Sequence, residues 1–135
     1  MHSEHPFSAV KGDDENSHQG PPFEILAPKV QTVPLVFVSA HSGRNYEPDF
    51  IETSRLDHLS LRRSEDSFVD ELFSGAPYRG APLLRAHFPR VYLDPNREPW
   101  ELDPAMFEDT LPEFVNTASL RVASGLGTIA RVVTN

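Results

Sequence analysis

The sequence predicts an α/β fold, a mixed sheet flanked by helices, and three observations carry that expectation. Val33 to Gly43 (VPLVFVSAHSG) contains an unbroken apolar run, Leu35-Val36-Phe37-Val38, rich in β-branched and aromatic residues and as long as a buried strand. Ser64 to Phe73 (SEDSFVDELF) places Phe68, Val69, Leu72 and Phe73 at i, i+1, i+4 and i+5, which is one face of a helix. Ala81 to Phe88 (APLLRAHF) and Arg90 to Leu93 (RVYL) read as two further strands joined at Pro89.

A chain of 135 residues suffices for one domain that buries about two thirds of its unfolded surface. Its 20 acidic and 12 basic residues give a formal net charge of −8, so a surface that tracks nucleic-acid phosphates is not expected. The absence of cysteine excludes disulfides, thiolate zinc sites and cysteine nucleophiles together, and leaves His, Asp and Glu to hold any catalytic metal. No apolar segment approaches the roughly 20 residues that span a bilayer, and the N-terminus lacks a signal-peptide core. A cytoplasmic location is therefore expected, with neither membrane nor nucleic acid as a partner.

Taken in order, residues 1–22 are small, polar and acidic and read as a disordered leader, in which His2 and His5 offer no fixed geometry for a metal. The domain proper is expected over 23–135. Phe23 to Ala27 suits a short strand, with Pro28 and Pro34 bracketing the loop that follows. Pro48 starts a helical turn over Asp49 to Glu52, and Ser54 is a fair N-cap for another helix. In the segment from Ser64, that serine is the expected cap, with Glu65 and Asp66 in the first turn where the helix dipole favours carboxylates; Gly75 and Pro77 end it.

Asp94 to Arg97 (DPNR) is turn chemistry, and the Pro-rich Glu98 to Phe107 suggests a lid or wall with a helical turn begun at Pro104. Gly125-Leu126-Gly127-Thr128 reads as a turn between strands, the second being Ile129 to Val133. A domain ending on a fresh strand is expected to be incomplete, and if a partner chain completes it, that strand is the expected docking edge.

Three groups of residues stand out for chemistry. His41 follows the apolar strand among small residues, and strand ends in open α/β sheets line the ligand crevice, so a catalytic or metal role competes with a structural one. Asp66 either complements the dipole of its helix or joins a site. Glu65 competes with it, because neighbouring side chains point about 100° apart on a helix. Asn96 and Arg97 suit a substrate carboxylate and an adjacent carbonyl; the alternative for Arg97 is an internal salt bridge to Asp94, Glu98 or Glu101, and Arg90 is a weaker alternative clamp.

The strings AHSGRNY, SEDSFVDELF, RAHFPRVYLDPNREPWELDPAMF and RVASGLGTIARVV, in this order, closely resemble the N-terminal half of N-formylglutamate amidohydrolases, from about Phe23 onward. The resemblance implies a fold akin to zinc carboxypeptidases, one Zn2+ ion, and hydrolysis of N-formyl-L-glutamate to formate and glutamate, a step in histidine breakdown. It implies His41 and Asp66 as zinc ligands and Asn96 and Arg97 as the pair that holds the substrate carboxylate. Ser42 and Gly43 are assigned turn geometry alone. A further ligand and the general base are then expected from outside this stretch, and the fragment alone is expected to be inactive. The alternative is a non-catalytic domain that binds an amino acid or carboxylate without a metal.

Overall fold

In the computed structural model, which describes residues 7–11 and 20–133, the strands β1 (Phe7–Lys11), β2 (Phe23–Pro28), β3 (Phe37–Ser39) and β4 (Leu83–Ala86) form one mixed sheet in the order β1-β2-β4-β3. β2 runs antiparallel to both its neighbours and β3 runs parallel to β4, with Phe37 opposite Leu83 and Ser39 opposite Arg85. That parallel pair sends the chain out at one end of the sheet, towards His41 after β3 and His87 after β4. Among the described residues, four α-helices of four to six residues join the sheet: α1 (Pro48–Thr53), α2 (His58–Arg62), α3 (Val69–Leu72) and α4 (Leu120–Ala123). No helix among the described residues is long and apolar enough to cross a membrane.

Two apolar clusters hold these elements. Leu26 and Leu83 meet Ala76 and Ala81 under Val33 and Phe37, and Leu83 is fully buried. Tyr46, Leu61 and Val91 form the second cluster, with Phe50, Ile51 and Val133 packed against it.

Several local expectations are corrected. The apolar run does not become a strand buried on both faces. β3 begins at Phe37 and lies at the edge of the sheet, where Leu35, Val36 and Val38 are 57–62 % exposed. The helix expected from Ser64 starts only at Val69, because Phe68 adopts a left-handed conformation (φ 63°) and the Asp66 N–H is donated to the His41 carbonyl at 3.0 Å. Asp66 therefore lies in the connecting loop and not in a first helical turn. The cap of α2 is Asp57, whose carboxylate accepts from the Ser60 N–H; Ser54 instead accepts from Leu56 N–H.

Arg90 to Leu93 forms a turn, closed by Tyr92 N–H on the Pro89 carbonyl at 3.0 Å, because Pro89 interrupts the ladder after β4. Ile129 to Val133 is no strand either: Val133 packs inward on the second cluster, and the expected docking edge is absent. Gly125-Leu126 follows a helix, with Leu126 N–H on Arg121 O at 2.8 Å, Gly125 N–H on Val122 O at 2.9 Å and Gly125 at φ 75°, the bonding pattern of a Schellman end. Within the stretch 1–22, Phe7–Lys11 pairs with β2; His2 and His5 lie outside the described residues.

Candidate active site

His41 is placed by the backbone on both sides of it. Gly43, two residues on, passes so close to the β4 exit that a Cβ there would stand 2.0 Å from the Phe88 carbonyl oxygen, so glycine is required by close approach and not by a turn. Ser42 is 2 % exposed and does more than turn the chain. Its hydroxyl donates to the Asp66 carbonyl at 2.9 Å, which leaves the Ser39 hydroxyl, 2.6 Å away, as the donor of that pair, and it accepts from Asp70 N–H at 3.3 Å. With Asp66 N–H on the His41 carbonyl, these bonds clamp the two loops together.

The imidazole lies between two carboxylates. Its Nε2 is 2.8 Å from Asp94 Oδ1, and its Nδ1 is 3.4 Å from Asp66 Oδ2. An ionised carboxylate only accepts, so Nε2 carries the proton bonded to Asp94. The side chains of His41 and Asp94 are 13 % and 5 % exposed, whereas that of Asp66 is 53 % exposed. The competition between neighbouring acids is resolved: Glu65 turns inward, accepting from Tyr46 Oη at 2.8 Å and from Arg62 Nε at 3.1 Å, and Asp66 faces His41. Burial and the Glu65 charge together push the Tyr46 phenol well above its ordinary pKa, so it stays a donor.

Asp94 is the hub that sequence reasoning missed, having treated it as a turn residue and a salt-bridge partner. Besides His41, its Oδ1 accepts the Asn96 N–H at 2.9 Å, while Oδ2 faces Arg90 Nη2 at 2.7 Å and Arg97 Nη2 at 3.5 Å. Burial pushes its pKa up, but the Asn96 N–H, His41 and Arg90 outweigh that and hold it below the ordinary carboxylate value. The available signal was Arg90, four residues earlier; the His41 partner, 53 residues away, left no local trace. Asp94 N–H also bonds the Thr128 carbonyl at 2.8 Å, so the segment after α4 buttresses the DPNR turn.

Arg97 and His41 lie on the same carboxylate, since both touch Asp94. The Arg97 Nε donates to Leu126 O at 3.0 Å and its Nη1 to Asn96 O at 2.8 Å, so the internal bridge to Asp94 forms and much of the guanidinium is engaged within the protein. Asn96 is exposed and contributes its backbone to these bonds. A cavity of about 540 Å3 is lined by Asp66, Asp94, Arg97 and Arg90, together with Arg63.

The donor set fits zinc in part. Two ligands at zinc distances of roughly 2.0–2.2 Å stand about 3.3–3.6 Å apart at a tetrahedral centre, and the Nδ1 to Asp66 separation is 3.4 Å. With Nε2 bonded to Asp94, a neutral imidazole directs its Nδ1 lone pair at a carboxylate oxygen, an arrangement that a cation between them relieves. A carboxylate on the other ring nitrogen is what metal-binding histidines characteristically have. Among the described residues no group of three or more His, Asp and Glu side chains is arranged for a metal ion, so these two stand without a third.

The family model for N-formylglutamate amidohydrolase matches residues 33–135. The crystal structure of N-formylglutamate amidohydrolase from Ralstonia eutropha JMP134 superposes with a TM-score of 0.74 at 38 % identity, covering 83 % of this chain and 39 % of that one. The chain thus spans about two fifths of that relative's length. Comparison with curated proteins yields no match. On the family match over most of its length, the chain belongs to the N-formylglutamate amidohydrolase family.

Proposed function

We propose that this chain carries part of the active site of a zinc-dependent hydrolase that converts N-formyl-L-glutamate and water into formate and glutamate. The observation that carries the reading is His41 held between Asp66 and Asp94 at the edge of a cavity that also presents Arg97. Family membership and the likeness to a solved N-formylglutamate amidohydrolase support it.

His41 Nδ1 and Asp66 are the proposed zinc ligands, and Asp94 fixes the tautomer that keeps Nδ1 unprotonated. A zinc ion held there would supply Lewis acidity to activate water near neutral pH and to polarise the formamide carbonyl. Asn96 and Arg97 hold the carboxylate of the substrate, with Arg97 already oriented by Asp94 and by the Leu126 carbonyl. The remaining ligand and the general base come from a further C-terminal half or a partner chain, and without them the fragment is inactive. The proposed setting is cytoplasmic histidine breakdown on a fold of the zinc-carboxypeptidase type.

A second reading, carboxylate binding without a metal, is favoured by the two-membered donor set. Metal analysis of the purified chain separates them. Stoichiometric zinc that is lost in His41→Ala supports the hydrolase; N-formylglutamate binding that is indifferent to chelator supports the binding domain.

A further inference from the structure

Resting on the hydrolase reading, we infer that Arg63 is the specificity residue that recognises the second carboxylate of the proposed substrate. Three guanidinium groups line the cavity beside Asp66, those of Arg63, Arg90 and Arg97. Arg90 and Arg97 share the Asp94 carboxylate, and Arg97 donates to two backbone carbonyls as well. Arg63 differs from both: its exposed side chain has no hydrogen bond or ion pair among the described residues. Its neighbour Arg62 shows the contrast, being spent on Glu65 through three contacts of 3.1–3.3 Å.

The backbone sets Arg63 where it is. Asp57 caps α2 at its start, and Arg63 closes it, donating its N–H to the Ser60 carbonyl at 3.2 Å. The side chain thus projects from a helix end, three residues before Asp66, into the cavity that Asp66 lines. The two acids that follow it in sequence have other partners, Glu65 in Arg62 and Tyr46, and Asp66 in His41. In a protein of net charge −8, a dianionic substrate meets overall repulsion, and an uncompensated cation at the cavity is the local attraction that offsets it. A guanidinium pairs two-pronged with a carboxylate, and a neutral amide of the same shape forfeits that charge-assisted pairing.

The test is calorimetric titration of the full chain, with zinc present, by N-formyl-L-glutamate and by its neutral-tailed isostere N-formyl-L-glutamine. Wild type is expected to bind the diacid at least tenfold more tightly. Arg63→Gln should weaken diacid binding roughly tenfold to a hundredfold and leave the amide unchanged, with Arg63→Lys recovering part of the preference. Circular dichroism spectra matching wild type confirm that the variants are folded. Equal binding of the two ligands by wild type overturns the inference but not the hydrolase reading, as does an Arg63→Gln variant that keeps the preference or weakens both ligands alike. Binding of neither ligand overturns the hydrolase reading, and this one with it.

Discussion

The His41 imidazole and the Asp94 carboxylate, 53 residues apart, meet at 2.8 Å with both side chains largely buried. The carboxylate also receives Arg90, Arg97 and the Asn96 amide, so one acid sets the imidazole tautomer and the position of the proposed substrate clamp together. In the proposed centre, Asp94→Asn should lower zinc affinity about 10–100-fold, read by competition with a chromogenic chelator. Unchanged affinity in a folded variant would remove Asp94 from the orienting role.

Ser42→Ala deletes the hydroxyl that joins the Asp66 carbonyl, the Asp70 N–H and Ser39. The loss should destabilise the chain by about 1–3 kcal/mol, since buried polar partners are left unpaired, and it should weaken zinc binding because the Asp66 loop loses its tether. Urea unfolding and metal titration on the same sample measure the two effects. A stability loss with metal binding intact would show that the clamp serves the fold alone.

Gly43→Ala drives a methyl group into the Phe88 carbonyl and the His87 backbone. The backbone has to move, at a cost of about 1–3 kcal/mol or more, and the loop bearing His41 moves with it. A midpoint of urea unfolding equal to wild type would contradict the close approach.

Glu24, on β2, accepts from Arg85 Nε at 2.6 Å and lies 3.3 Å from His87 Nε2. Burial pushes its pKa up, but Arg85 and His87 outweigh that and the net shift is downward. A folded pKa below the unfolded value, about 4.3, contributes stability that is present above the unfolded pKa and lost as pH falls through the folded one. Glu24→Gln should therefore cost about 1–3 kcal/mol at neutral pH, with the gap to wild type closing in acid. A gap that stays constant across a pH series of thermal melts would refute the ion pair as its source.

Leu83→Ala probes the cluster beneath the parallel strands. The side chain is fully buried against Leu26, Ala76 and Ala81, so truncation should cost about 2–5 kcal/mol, measured by urea unfolding.

Part of the order of elements was legible because it rests on local chemistry. FEILA and PLLRA carry strand formers, Pro48 and Pro104 begin helical turns, and DPNR reverses the chain. Edge placement was not legible: Leu35 to Val38 reads as buried on both faces, yet β3 pairs only with β4. The helix at Ser64 failed for a related reason. Its apolar period is real, but Asp66 N–H bonds the His41 carbonyl instead of a helical partner.

Alone, the amino-acid order determined that no cysteine chemistry is available, that His41 leaves a strand, and that an acid and an arginine stand ready elsewhere in the chain. Tertiary structure alone decided which acid faces which ring nitrogen, that Asp94 joins imidazole to guanidinium, and that among the described residues Arg62 is paired by Glu65 while Arg63 is not. Propensity acts over a few residues and marks where elements begin. Side-chain pairing across 25 to 53 positions depends on which loops the sheet brings to one end, and that is a property of the folded chain.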